Sequence, residues 1–279
     1  MIDQLADYLR YPFVRHALLV GTLIAVSAAL LGVPLILRRL SNMGDSLSHV
    51  AFASLTLGSA LSLAGGFVST LVGTSVCSVL LLRAPRRTQT KGDAALAMLS
   101  AGMLAAGYLA ANLAPKSANV SGDVCTTLFG SISILTLTDA DVWICSALSL
   151  SVVVFCVWTH HQSLEYAFDE DFARVEGGHV KLYNTLFALV VAVVISTAMR
   201  LAGALLVAAL LVFPAASALR IFRSYRAVCV FAALLAAVTA STGIVVSVLA
   251  GTPVGATVVL TEAVAFGVCR LIGQKGGLK

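Results

Sequence analysis

The sequence predicts an all-α polytopic membrane protein of about eight transmembrane helices plus one short or re-entrant helix, and three observations carry that prediction. Only 11% of the 279 residues are charged while 59% are hydrophobic, against about 25% charged in a soluble domain. The apolar residues gather in runs close to the ~20 residues that cross a hydrocarbon core. Lys and Arg stand between the runs predominantly on one side, as the positive-inside bias demands. No polar stretch approaches the roughly 50 residues of a separate domain, so residues 1–279 read as a single transmembrane domain.

The first run, Phe13 to Leu37, is too long for a signal-peptide core, and Asp3, Asp7, Arg10 and Arg15 before it are too mixed in charge, so it reads as a retained span. A second span covers about Ser46 to Ala64, Gly65-Gly66 makes a turn, and Phe67 to Leu82 forms a slightly short third. Arg83, Arg86, Arg87 and Lys91 mark a basic loop around Pro85. Asp93 to Leu113 is the fourth span, with Gly102 and Gly107 suited to close helix packing. Ala114 to Asp141 is half-polar and holds Asp123, Asp139 and Asp141; a short helix or re-entrant piece with a solvated acidic turn is expected there.

Val142 to Thr159 makes a fifth span, His160 to Lys181 the most charged loop, and Leu182 to Met199 a sixth span. Leu201 to Val212 is only a little over half a span, and Pro214 is expected to break or kink it. Ala227 to Leu249 and Ala256 to Leu271 complete the chain around a Gly251-Thr252-Pro253-Val254-Gly255 turn. With the loops at 38–44, 83–93, 160–181 and 213–226 and the C-terminal tail on one side, all 18 Lys and Arg except Arg10, Arg15, Lys116 and Arg200 share that side. It is therefore the cytoplasmic side, with the N-terminus outside. The net charge of +5 is a topology signal rather than a nucleic-acid patch.

The chemistry is concentrated in Arg38-Arg39-Leu40-Ser41-Asn42-Met43-Gly44-Asp45-Ser46-Leu47-Ser48-His49. Asp45 and His49 are four apart and share one face of a helix, the spacing of a two-ligand metal clip. A charge at a helix centre in the bilayer costs about 2.5–3.5 kcal/mol on insertion scales, so such groups line interior pathways. The competing reading is that Asp45 caps the helix and that His49 bonds a neighbouring helix. Ser46 and Ser48 could orient the pair as second partners. A neutral imidazole is required to bind metal, so uptake is expected to weaken below about pH 6.5. Two ligands are two short of the four that hold zinc tightly, and weak binding suits conduction.

Other candidates are weaker. His160-His161 with His179 could suggest a cytoplasmic metal site, but nothing fixes the spacing between them and a solvated, disordered loop is the better account; His16 reads as interfacial. Glu262, inside the last run, should face the bundle interior or water, paired with Arg270 or near the interface. The six cysteines are scattered without a CxxC pair, and read as small buried hydrophobes. HExxH, GxSxG and the P-loop are all missing, so neither proteolysis nor ATP hydrolysis by this chain is expected.

The Arg38-Arg39-Leu40 to Asp45-Ser46-Leu47-Ser48-His49 stretch resembles the signature of the permease family of ABC importers for zinc, manganese and iron. Leu128-Phe129-Gly130-Ser131-Ile132 is similar to the family's loop before its fifth main helix, and Asp169-Glu170-Asp171-Phe172-Ala173-Arg174 to its cytoplasmic motif. Gly177-Gly178-His179-Val180 departs slightly from the usual ending. The run from Gly203 to Ala218 resembles the family's Gly-Ala-Leu-Leu-rich segment ending in Pro-Ala-Ala.

The resemblance implies a multi-pass subunit of a bacterial inner or plasma membrane, paired with a second copy of itself, two cytoplasmic ATPases and an extracytoplasmic metal-binding protein. It implies Asp45 and His49 on the path of a transported zinc, manganese or iron ion and no permanently bound cofactor. ATPase coupling carries over to Pro214, Ser217, Arg220, Phe222 and Arg223, and more loosely to 169–178. The alternatives are a permease for iron-siderophore or cobalamin uptake, whose chains are longer and lack the Asp-His pair, and a secondary metal transporter, which would show repeated halves.

Overall fold

The computed structural model describes residues 11–61, 66–83, 89–113, 138–168 and 170–275, and helix dominates them. Long helices α1 (Pro12–Leu37), α2 (Met43–Ala60), α3 (Gly66–Arg83), α4 (Gln89–Leu113) and α5 (Asp139–Trp158) come first. Two short ones follow, α6 (His160–Phe168) and α7 (Glu170–Val175), and then α8 (Val180–Ala202), α9 (Ala204–Ile221), α10 (Tyr225–Ala250) and α11 (Val254–Lys275). Seven are long and apolar enough to cross a membrane: α1, α4, α5, α8, α9, α10 and α11; α3 contributes the shorter apolar stretch Phe67–Arg83. The helix that carries Asp45 and His49, α2, is not among the seven.

The element boundaries follow local chemistry. Pro12 opens α1, where its missing N–H costs nothing. The same helix closes in a Schellman turn: Leu40 N–H donates to Leu35 O at 2.9 Å and Arg39 N–H to Ile36 O at 2.9 Å, with Arg39 in the left-handed region at φ 59°. Thr138 and Asp141 form a reciprocal capping box at the start of α5, so Asp139 and Asp141 belong to a helix's first turn. Between α8 and α9 the chain turns on Gly203 at φ 89°, a conformation open to residues without a Cβ.

Helices α1, α8 and α9 are the most buried of the spanning set, and α4, α5 and α11 lie at the periphery. α1 packs on α10, α9 and α5; α2 on α4, α3 and α9; α8 on α3; and α11 on α9 and α10. Contact distances are set by missing Cβ atoms. A methyl on Gly32 of α1 would lie 1.9 Å from the Leu211 carbonyl oxygen of α9, and one on Gly107 of α4 would lie 2.7 Å from the Phe52 ring of α2. Gly107 thus packs as expected, whereas Gly102 has nothing within 4 Å.

Two expectations need correction. Pro214 does not end or shorten its helix: it lies inside α9, which runs 18 residues to Ile221. Pro214 offers no N–H to the Leu210 carbonyl one turn before it, a gap that membrane helices tolerate when they are packed among neighbours, and Pro214 is buried within α9. The actual break is at Gly203. The stretch from His160 to Lys181 is not a solvated loop but holds α6 and α7. Asp123, the 128–132 motif and the re-entrant piece expected there, apart from the residues from Thr138 onward, lie outside the described residues.

Candidate functional site

The Schellman turn delivers the chain directly into α2, whose first turn is tied back by Met43 N–H to Leu40 O at 3.0 Å. Asp45 sits in that first turn, where the helix dipole favours a carboxylate. One turn on, His49 Nε2 stands 3.5 Å from Asp45 Oδ1. The Ser100 hydroxyl of α4 donates to Asp45 Oδ2 at 3.2 Å. Asp45 is 55% exposed at its side chain and His49 only 17%, and the imidazole Nδ1 is buried without a hydrogen-bond partner. The pair is seated by close packing, since a methyl on Gly44 would meet Leu211 Cδ1 of α9 at 2.6 Å.

This geometry bears on the capping alternative. The N-cap residue is Asn42, which makes no side-chain cap bond, and the hydrogen bond found for the Asp45 carboxylate comes from Ser100 rather than from first-turn amides. Ser46 and Ser48 do not orient the pair as expected. Ser46 donates to the carbonyls of Asn42 and Leu96 at 3.1 Å each, and Ser48 to the Asp45 carbonyl at 2.7 Å. Both hydroxyls are consumed by backbone. Ser100, which does touch the carboxylate, was not singled out by the sequence; an isolated serine in an Ala-rich helix gives no periodic or motif signal.

Among the described residues no three His, Cys, Asp or Glu gather to hold a metal. The Asp45–His49 pair presents one carboxylate and one imidazole nitrogen, open to solvent on the Asp45 side. That suits transient binding of a divalent ion, the missing ligands coming from water or another chain.

The remaining sequence candidates are dispersed. His16 Nε2 lies 3.3 Å from Asp139 Oδ1, linking α1 to α5 at the end opposite the pair, and Arg200 NH2 lies 3.1 Å from Asp141 Oδ1. His160 accepts from Arg226 Nε at 3.2 Å and packs on the Tyr225 ring. Burial, then the charges of Arg226 and His161, hold its pKa below the usual histidine range. Glu262 is 1% exposed; its two oxygens have no hydrogen-bond partner, so pairing with Arg270 is not what the structure shows.

Of the coupling candidates, Pro214 and Ser217 are buried inside α9, while Arg220, Phe222 and Arg223 are exposed or partly exposed at its end. The buried two cannot touch a docked protein in this conformation. On α6 and α7, to which coupling carries over only loosely, Phe168, Phe172 and Val175 are exposed large apolar residues.

Comparison with known proteins gives these features a family. The chain is 28% identical over 276 residues to the manganese import system permease protein ScaB of Streptococcus parasanguinis, covering 99% of this chain and 96% of that protein. It is 27% identical over 251 residues to the high-affinity zinc uptake system membrane protein ZnuB of Haemophilus influenzae, covering 90% and 94%. Its fold matches the structure of PsaBC from Streptococcus pneumoniae in complex with Fab at a TM-score of 0.83 and 27% identity, over 96% of this chain and 95% of that one. The model of the ABC 3 transport family matches residues 10–272, and the chain belongs to that family.

Proposed function

We propose that this chain is the permease subunit of an ABC importer for a divalent transition metal, manganese or zinc in the first place, and that Asp45 and His49 are ligands to the ion in transit. The observation that carries the reading is the exposed Asp45 carboxylate beside a mostly buried imidazole on one face of α2, in a family whose relatives are permeases of manganese and zinc systems. The carboxylate and imidazole suit manganese, zinc and ferrous iron alike, and affinity order does not choose among them.

In this reading ATP hydrolysis belongs to a separate cytoplasmic ATPase pair, and an extracytoplasmic protein delivers the ion. The exposed side of Asp45 faces a second copy of the chain across the Ala-rich exposed surface of α4, where Ala97, Ala101 and Gly102 allow close approach. Phe168, Phe172 and Val175, with Phe222, Arg220 and Arg223, form the surface that meets the ATPase. The siderophore and cobalamin alternatives draw no support from any feature of the site.

The test is metal uptake by Asp45→Asn and His49→Ala in complexes that still assemble with the ATPase. Asparagine keeps most capping ability but removes the charge. The expected result is at least a roughly tenfold loss of uptake, the order of one lost charge-assisted contact. Wild-type uptake by Asp45→Asn would return Asp45 to a structural cap.

A further inference from the structure

A buried guanidinium sits between the metal pair and the cytoplasmic helices. Arg38, the C-cap residue of α1, is only 5% exposed. Its NH1 donates to Asn184 Oδ1 of α8 at 2.8 Å, and its guanidinium lies 5.1 Å from the Tyr183 ring centroid and 5.4 Å from that of Phe187. The directed bond to Asn184 and the two aromatic faces hold the planar cation in an arrangement that a lysine cannot reproduce. Asn184 is itself buried, and its other end donates from Nδ2 to Glu170 Oε1 of α7 at 2.7 Å. One amide therefore bridges a cation on α1 and a carboxylate on α7.

Both ends of this bridge lead somewhere. Glu170 is the first residue of α7, a helix of six residues that packs on α6 and, more sparsely, on α8. Around it, Gly178 N–H closes on Ala173 O at 2.9 Å, and α6 is joined to the same α8 residue that stacks on Arg38 through the Ser163–Tyr183 hydrogen bond and the Tyr166–Tyr183 ring contact. At the other end, Arg38 is followed by left-handed Arg39 and the doubly hydrogen-bonded turn that enters α2. That turn has little freedom to absorb a displacement, and Asp45 lies in the turn of helix beyond it.

We propose that Arg38, Asn184 and Glu170 are positioning residues that carry movement of the cytoplasmic α6–α7 pair to the Asp45–His49 site. The inference rests on the reading above that α6 and α7 meet the ATPase. A displacement of α7 pulls Glu170, Asn184 follows through the side-chain bond, and Arg38 moves the end of α1 and the start of α2 together. The relay touches no metal and no nucleotide. Cutting it separates ATP consumption from transport while both machineries stay intact.

The experiment uses the permease with its ATPase, reconstituted in proteoliposomes with its binding protein, with manganese(II) as the transported probe. ATPase co-purification, ATP hydrolysis and manganese uptake are measured on each variant. Asn184→Asp keeps an acceptor for Arg38 but replaces the donor to Glu170 by a repelling carboxylate. Glu170→Ala cuts the same link from its half-exposed side, where folding is least at risk. For both, ATPase co-purification is expected to match wild type, while ATP hydrolysed per manganese ion imported rises at least about fivefold, the scale of one lost charge-assisted hydrogen bond. Combining Asn184→Asp with Glu170→Gln restores the link with its polarity reversed, because the new amide donates to the new carboxylate, and coupling returns to within about twofold of wild type, a non-additivity expected only of groups in contact.

Unchanged ATP consumption per ion in Glu170→Ala, or no rescue in the combined variant, overturns the relay. The docking reading is tested apart from it by Phe172→Ala. Wild-type ATPase co-purification in that variant removes α7 from the interface, whatever the Asn184 variants do.

Discussion

Asp45 in α2 and Glu262 in α11 are both carboxylates set into apolar helices, and their surroundings are opposite. Asp45 is more than half exposed, accepts a hydrogen bond from Ser100 and stands against His49. Glu262 is shut in between α11, α9 and α10, with neither oxygen partnered. An unpaired charge in such a place would be costly, so the site has nothing built to hold one. The insertion penalty that singles out both residues in the sequence cannot separate them. Access and partners do: one carboxylate is open to solvent beside an imidazole and a hydroxyl, and the other is enclosed without a partner.

The most disruptive way to break the contrast is to unseat α2's surroundings without touching any ionisable group. Gly32→Ala places a methyl against the Leu211 backbone carbonyl, where no rotamer change relieves the clash, so α1 and α9 must part. A loss of about 3 kcal/mol or more in stability is expected, read as a collapse of the folded fraction in detergent. Next in size is Glu262→Leu, which removes a buried group with no partner and should stabilise the protein by about 1–3 kcal/mol in denaturant unfolding with uptake within about twofold of wild type. A tenfold loss of uptake would place Glu262 beside Asp45 as a functional acid.

Smaller effects sharpen the comparison. Ser100→Ala deletes only the hydroxyl that bonds Asp45, and is expected to cost about 1 kcal/mol, or roughly fivefold, in metal affinity, measured by competition with a metal indicator. The smallest concerns His160, whose ionisation is held down by burial and by the neighbouring cations Arg226 and His161. A depressed histidine pKa favours the fold while the ring is neutral. Its contribution is fully present above about pH 6.5, the unfolded value, and is lost as pH falls through the folded one. His160→Gln should therefore narrow the gap in melting temperature between pH 7.5 and pH 5.5, which separates acid loss of stability from acid loss of metal binding.

Much of this architecture is legible in the sequence because lipid exposure leaves long apolar runs and the basic residues punctuate them on one side. The Asp45–His49 pair is equally legible, since i, i+4 spacing alone places the two on one helix face. What escapes is set by tertiary contact. Pro214 looks like a breaker, yet it is carried inside a buried helix, and the chain breaks at Gly203 instead. The polar stretch after Thr159 looks like a loop because its helices are too short to show a period. Arg38 reads as a positive-inside anchor, and only its packing on Tyr183 and Phe187 shows that it is buried.

The central claim, that Asp45 and His49 hold the transported ion, is tested most directly by pulsed electron paramagnetic resonance of manganese(II) bound to the assembled, turnover-arrested complex. A bound imidazole imprints nitrogen modulation on the manganese echo. The wild-type complex is expected to show that modulation, and His49→Ala and Asp45→Asn to lose it along with the bound metal. Nitrogen modulation that persists at wild-type depth in His49→Ala would contradict the account and move the ion to another histidine.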